Sequence, residues 1–327
     1  MLSDKGSSAS HGERGAALLT VLMLVAVIAV MAGSALEKLR LSTRLAANAA
    51  AGEQARAFAV AAEAVAAVRI TSLLQRSPSR VTLAGGWSGR PFGLPLPGGG
   101  YATARITDGG NCFNLNSLVS PMGPGVYVSY GPSRAQFVRL MNLLDIPGQV
   151  AEQVAAGAGD WIDTDNDQQA SGAEDPRYTA QQVAYRTSGT LMADVSELRA
   201  VAGVTPQLYA TLRPWLCALP TTQPARLNVN TLPPEQAPLL AMLGPAVSVD
   251  AARQLLLRRP PQGWGDAAAI WRGTAAPPAG DQTGVTSTWF RLAIDVAIPG
   301  ATLEERALLD ATRLPVRLVS RQWGEDT

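Results

Sequence analysis

From Ala16 to Leu36 the chain carries no charged residue and is almost wholly apolar. Coiled as an α-helix, that run is about 32 Å long, enough to cross a hydrocarbon core of about 30 Å. A secretory signal peptide has a shorter apolar stretch that ends at a small-residue cleavage site. Here helix-forming sequence follows without a break: Glu37 to Arg76 lacks proline and is rich in alanine, leucine, glutamate and arginine. Ala59, Ala62, Val65, Ala66 and Ile70 recur at roughly helical spacing and predict a buried stripe. The pattern predicts one continuous helix, with residues 16–36 in lipid and residues 37–76 outside it.

Ser77-Pro78-Ser79 breaks that helix, and the Gly/Pro-rich stretch Gly85 to Gly100 reads as loop. Tyr101 to Ile106 alternates like a strand, and Cys112 to Asn116, beyond a turn at Asp108-Gly109-Gly110, reads as its short partner. From Ser133 to about Leu219 the period turns helical. Val138, Leu140, Met141 and Leu144 form one apolar face, and Val195, Leu198, Val201 and Ala202 another. Helices are also predicted after Leu227-Asn228-Val229-Asn230-Thr231. The end of the chain returns to strands at Trp289–Ile298, Arg306–Thr312 and Val316–Trp323. Long helix, strands, helical block, strands: this order predicts an α+β fold with a helical insertion. The division is 77–132 for the first part of the sheet, 133–284 for the insertion and 285–327 for the last part.

Composition narrows the chemistry. The 327 residues allow about two domains beside the apolar segment. A net charge of +1 gives no global field toward nucleic acid or anionic lipid. The single histidine, His11, lies near the N-terminus, which excludes histidine-based catalysis in the body. No base–nucleophile constellation can be read, so an enzyme has little to stand on. Cys112 and Cys217 are compatible with two buried thiols or, outside the cytoplasm, with a disulfide.

Asp160-Trp161-Ile162-Asp163-Thr164-Asp165-Asn166-Asp167 is the densest run of acids, with Glu174 and Asp175 a few residues on. Asp163, Asp165 and Asp167 alternate, and Glu174 is the twelfth residue counted from Asp163. Alternate carboxylates of a tight loop can converge on a calcium ion, which takes six to eight oxygen ligands. The EF-hand pattern fails, because Gln168 stands where its glycine belongs. No lysine or arginine lies in the loop to offset the charge, and no histidine or cysteine is there for zinc. Spacing leaves two readings, a calcium loop of another kind and a solvated acidic turn with helix caps.

Two sets of residues carry a family resemblance. Glu13-Arg14-Gly15-Ala16-Ala17, a polar leader ending in glycine before an uncharged helix, resembles a type IV prepilin cleavage site. Phe113-Asn114-Leu115-Asn116, Asp160-Trp161-Ile162-Asp163, Gly172-Ala173-Glu174-Asp175, Asp194-Val195-Ser196-Glu197-Leu198 and Leu227-Asn228-Val229-Asn230-Thr231 occur in the order and rough spacing of the minor pseudopilins called general secretion pathway protein K, of type II secretion systems. The resemblance covers most of the chain. It implies a pilin-like long helix and antiparallel sheet with a large inserted helical domain. It implies cutting after Gly15 by a prepilin peptidase (leader 1–15) and a methylated Ala16. It implies a bond between Cys112 and Cys217, and calcium held by residues among Asp163, Asp165, Asp167, Glu174 and Asp175. The partners implied are the I and J minor pseudopilins, other pseudopilins and the inner-membrane assembly platform. Membrane lipid holds the helix.

The place implied is the bacterial inner membrane, crossed once, with the N-terminus cytoplasmic and the body periplasmic. Charge does not set that orientation: Lys5 and Arg14 precede the span, but Lys38, Arg40 and Arg44 follow it. One position departs from most pilins, which carry glutamate at mature position five; here it is Thr20. That glutamate is thought to pair with the buried amine of a neighbouring subunit. Its absence is tolerable at a filament tip, and the K type lacks it.

A second resemblance is local. Residues 227–270 are similar to the helix-hairpin-helix modules of competence DNA receptors, in which hairpin amides grip phosphate. Here the hairpin is Gly244-Pro245-Ala246; proline has no amide hydrogen and the second glycine is missing. Arg253, Arg258 and Arg259 remain as a basic cluster. A packing module that has lost its phosphate grip is the preferred reading, with a membrane-anchored periplasmic DNA-binding protein as the alternative.

Overall fold

In a computed structural model, residues 10–324 are described, with backbone only for residues 10–14. Residues 1–9 of the expected leader lie outside them. One helix, α1 (Ser10–Arg76), runs through the apolar segment and on. It is the one helix among the described residues long and apolar enough to cross a membrane, and none of its most apolar window is buried in protein. Thr20 satisfies its own hydroxyl, donating to the Ala17 carbonyl at 2.8 Å.

Past the apolar segment, α1 buries Ala55, Ala59, Ala62, Ala66 and Ile70. Small side chains at intervals of three and four let the helix lie close on a sheet. Val65, expected in that stripe, is 37% exposed. Its position, one residue from Ala66, turns it about 100° off the stripe.

After α1 come β1 (Pro91–Pro95) and β2 (Tyr101–Asp108). A long block follows: β3 (Phe113–Asn114), β4 (Val119–Gly123), β5 (Val126–Ser129), α2 (Gly131–Leu143), α3 (Gly148–Ile162), α4 (Asp175–Thr179), α5 (Pro206–Leu212), β6 (Leu216–Cys217), β7 (Leu227–Asn228), α6 (Ala237–Ala241), α7 (Val249–Leu257) and β8 (Thr283–Gly284). The chain closes with β9 (Trp289–Ile298), β10 (Ala301–Asp310) and β11 (Arg317–Trp323). The main sheet is antiparallel throughout, in the order β1-β2-β9-β10-β11. Because β2 pairs with β9, everything between them is inserted into the sheet's connectivity. The sheet and α1 share one core, around Phe290, Leu292, Ile294 and Val296; the inserted block has its own. The fold is α+β: a pilin-like helix and sheet with further helices.

Three expectations change. The Gly/Pro-rich stretch contains β1, an edge strand, where proline is tolerated because one side makes no ladder bonds. The segment at Phe113 does not return to β2. It pairs in parallel with β6, Phe113 opposite Leu216, while the turn before it stays against β9, Gly109 N–H donating to the Trp289 carbonyl at 2.8 Å. The helical pattern after Ser133 yields α2 and α3, but from Asp163 on it is mostly turns and short pieces.

The inserted block is built twice on one plan. Each half opens on a short strand that ends in an asparagine, with a second asparagine two residues on: Asn114 and Asn116 in one, Asn228 and Asn230 in the other. In each, the first asparagine's Oδ1 accepts from the second's backbone N–H, at 3.3 and 2.9 Å. Ser117 and Thr231 donate back to the Asn114 and Asn228 carbonyls. The second asparagine clamps a distant backbone: Asn116 takes both the N–H and the carbonyl of Met192, and Asn230 those of Trp264. Two residues beyond each clamp an aspartate, Asp194 or Asp266, caps a 3₁₀ turn. Between opening strand and clamp each has a helix pair, α2–α3 or α6–α7, to which the first half adds the β4–β5 hairpin before it and α4 after it. Each half ends on a strand parallel to its first.

Candidate metal centre

The acidic cluster hangs on the end of α3. That helix forms because Ala151, Val154, Ala155, Ala158 and Ile162 make one buried face. Asp160 stands in its last turn and Asp163 is its C-cap, whose N–H donates to the Gly159 carbonyl at 3.0 Å. Three residues apart, the two side chains share a face. Glu174 arrives from the far side of a tight turn, closed by Gly172 N–H to the Gln169 carbonyl at 2.9 Å. Gly172 is required there, because a Cβ would fall 1.9 Å from Asp160 Oδ2.

Carboxylate oxygens of Asp160, Asp163 and Glu174 lie within 4.8 Å of one another, and all three residues are buried. Asp160 is partly served: Gln169 donates to it from Nε2 at 2.8 Å and from the backbone at 3.3 Å. Asp163 Oδ1 and both oxygens of Glu174 have no hydrogen-bond partner. Such groups cost stability unless charge or hydrogen bonds compensate. Burial, then the neighbouring carboxylates, push Asp163 up to about 8. Burial, then Asp160, push Glu174 up to about 7. Burial raises Asp160 too, against the pull of Gln169. The carbonyl end of α3 adds a negative partial charge. A cation here would answer every one of these terms, and an all-oxygen donor set suits a hard one such as calcium. The residues therefore fit the ion.

The structure brings together Asp163 and Glu174 of the expected ligands. Asp165 and Asp167 are exposed on the loop above, with Asp165 Oδ1 accepting from the Asp167 N–H at 2.9 Å. Asp175 faces elsewhere: it accepts from Thr187 N–H at 3.0 Å and pairs with Arg186 Nη1 at 2.9 Å. Thr187, with Arg186, holds it below the usual carboxylate range. Asp160 was missed as a candidate ligand, although its place one helical turn before Asp163 was a readable signal.

The other singled-out residues are equally placed. Gly15 and Ala16 lie exposed within α1. Cys112 and Cys217 form a disulfide with Cα atoms 5.8 Å apart. It joins the start of the first half to its end. In the hairpin Gly244-Pro245-Ala246, the Gly244 Cα is covered by Pro277 and Pro278, which a Cβ would meet at 2.6 and 2.7 Å. Arg259 is spent inside the protein, donating to the Val229 and Leu232 carbonyls at 3.1 and 2.8 Å. Arg253 sits 3.6 Å from Asp250.

Two family models described as type II secretion system protein K match residues 111–221 and 227–290. The type II secretion system protein K of Pectobacterium carotovorum is 33% identical, over 95% of this chain and 97% of the relative. That of Klebsiella pneumoniae is 35% identical, over 96% and 98%. A chain in the crystal structure of the GspK-GspI-GspJ complex of enterotoxigenic Escherichia coli superposes with a TM-score of 0.71 at 30% identity, over 84% of this chain and 97% of that one. Matched over nearly their whole length to such relatives, these 327 residues belong to the type II secretion system protein K family, the minor pseudopilins of that system.

Proposed function

We propose that this chain caps the pseudopilus tip, and starts its assembly, with partners of the I and J types. The observation that carries the reading is the bulk of the block inserted between β2 and β9 on an otherwise pilin-like helix and sheet. A regular filament of small subunits has no room for it along the shaft; an end does. Thr20 agrees, since a subunit with nothing ahead of it needs no carboxylate for a neighbour's amine. Residues 16–36 hold the protein in the inner membrane, with the body (residues 37–327) in the periplasm. The peptidase cuts after Gly15, and Ala16 becomes the methylated N-terminus. The domains divide at residues 77, 133 and 285.

Asp160, Asp163 and Glu174 would hold calcium, with Asp165, Asp167 and Asp175 as the surrounding acidic loop. The ion would supply the positive charge that the buried carboxylates lack and fix the loop to the end of α3. Arg134 reaches the cluster only through Gln169, to which it donates. DNA binding, the alternative, is opposed by Pro245, which offers no amide hydrogen, by the Gly244 Cα packed against Pro277 and Pro278, and by the internal bonds of Arg259.

Mass spectrometry of the protein extracted from its host membrane is the test. The expected mass lacks residues 1–15, carries one methyl group and is short of two thiol hydrogens. Co-purification with the I and J partners should accompany it. An intact leader on the native protein, or the body repeated along a filament shaft, overturns the reading.

A further inference from the structure

The end of α1 farthest from the apolar segment carries a groove that none of the above uses. It encloses about 490 Å³ between the last turns of α1, the bend at Gly85-Gly86 and the start of β1. Its floor is apolar and fixed. Ile70 and Ile106 are buried there. Trp87 donates from Nε1 to the Thr82 carbonyl at 2.7 Å and meets Phe290 edge-on, with ring centres 5.6 Å apart. Three arginines stand around this floor: Arg69, Arg76 and Arg90. The Arg69 guanidinium lies 3.9 Å from the centre of the Phe92 ring, which orients its fork. No aspartate or glutamate lines the groove. The ion pairs formed among the described residues lie elsewhere.

We propose that this groove docks an acidic peptide segment of a partner protein, with carboxylates flanking an apolar side chain. Charge complementarity chooses the occupant: guanidinium forks take carboxylates in pairs, and an apolar floor excludes water beneath them. A bare phosphate would leave Trp87 and Phe92 unused. A lipid headgroup is out of reach, since about 60 Å of helix separates Leu36 from Arg76. The inference deepens the tip reading: the partner lies beyond the end of the stalk. It rests on that reading for where the partner is, while the binding itself does not depend on it.

The test uses the full chain in detergent and a fluorescent peptide, Asp-Glu-Leu-Phe-Glu-Asp, read by anisotropy. The expected result is binding about tenfold or more tighter than that of the Asn/Gln counterpart, weakening as salt rises. Arg76→Glu with Arg90→Glu should abolish the preference, while Arg258→Glu, an exposed arginine on the inserted block, should not. Both positions are exposed, so the fold is kept, which circular dichroism checks. Equal binding of the two peptides, or indifference to the double reversal, overturns the proposal. So does displacement of the peptide by phosphatidylglycerol vesicles, which would make the groove a general anion surface. None of these outcomes touches leader removal, so the tip reading stands or falls separately.

Discussion

The two halves of the inserted block share a plan, and beside the β4–β5 hairpin and α5 that only the first has, they differ most in one loop. Between α3 and the Met192 clamp, the first half spends residues 163–191 on an acidic excursion. Between α7 and the Trp264 clamp, the second half needs only residues 258–263, helped by Gly263 with φ +73°. The second half carries a cation of its own in that turn, Arg259, which reaches two backbone carbonyls just past β7. The first has carboxylates at the matching helix end. The same scaffold can thus be closed by a built-in guanidinium or left to recruit a metal ion. The halves also close differently: a disulfide ties Cys112, just before β3, to β6, while side-chain hydrogen bonds join β7 to its neighbours.

The sharpest way to break the comparison is to cut the bond. Cys112→Ser with Cys217→Ser releases a loop of 105 residues. In the chain-entropy model that costs up to about 4.7 kcal/mol. Hydrogen exchange should quicken in the first half well before the second; equal loss in both would mean that they unfold as one. Next come the clamps. Asn230→Ala leaves the buried N–H and carbonyl of Trp264 unpaired, at about 3 kcal/mol by denaturant unfolding, and Asn116→Ala leaves those of Met192 and the Leu219 carbonyl as well, at a cost larger by about 1 kcal/mol. Equal costs would mean that the additional bond of Asn116 to the Leu219 carbonyl contributes nothing.

Chelation discriminates between the halves directly. At free calcium 100-fold above Kd, a bound ion would stabilise the folded state by about 2.7 kcal/mol. Removing it should lower the melting temperature and open residues 163–190 to protease, while the second half stays protected. Asp163→Asn with Glu174→Gln should abolish the calcium response and raise the stability of the calcium-free protein. An unchanged melting temperature on chelation would remove the metal.

The smallest effect serves as a control outside both halves. Under α1, buried Glu305 and Glu63 share Arg321, which donates to Glu63 Oε2 at 2.8 and 3.0 Å and lies 3.5 Å from Glu305. Burial, then Glu63, push Glu305 up to about 7 from 4.5. The folded state therefore holds that proton more tightly than the unfolded chain. Its stabilising contribution is full below about pH 4.5 and is lost as pH rises through 7. Glu305→Gln should flatten that slope and leave calcium binding untouched; a slope that persists in the variant assigns it to another group.

Much of the sheet was legible because alternation survives in Tyr101–Ile106 and Trp289–Ile298. Strand β10 was caught only in part, since Glu304-Glu305 looks like a solvated pair, yet Glu305 is 1% exposed. β1 was hidden by its glycine and prolines. The acidic loop was found from charge alone, but alternate spacing drew attention to Asp165 and Asp167, whereas the buried oxygens belong to Asp160, Asp163 and Glu174. The paired asparagines stood out as motifs without revealing their work, because each clamps a backbone 34 or 76 residues away.

What the sequence by itself determined is local. An uncharged run long enough for a bilayer, a helix without proline and a dense acidic loop need only neighbouring residues and their period. What the tertiary structure alone decided is non-local. Which carboxylates lose their water, which strand Phe113 joins and which glutamate is buried under α1 depend on surfaces brought together from distant parts of the chain. Burial and pairing are properties of that packing, so no window of sequence contains them.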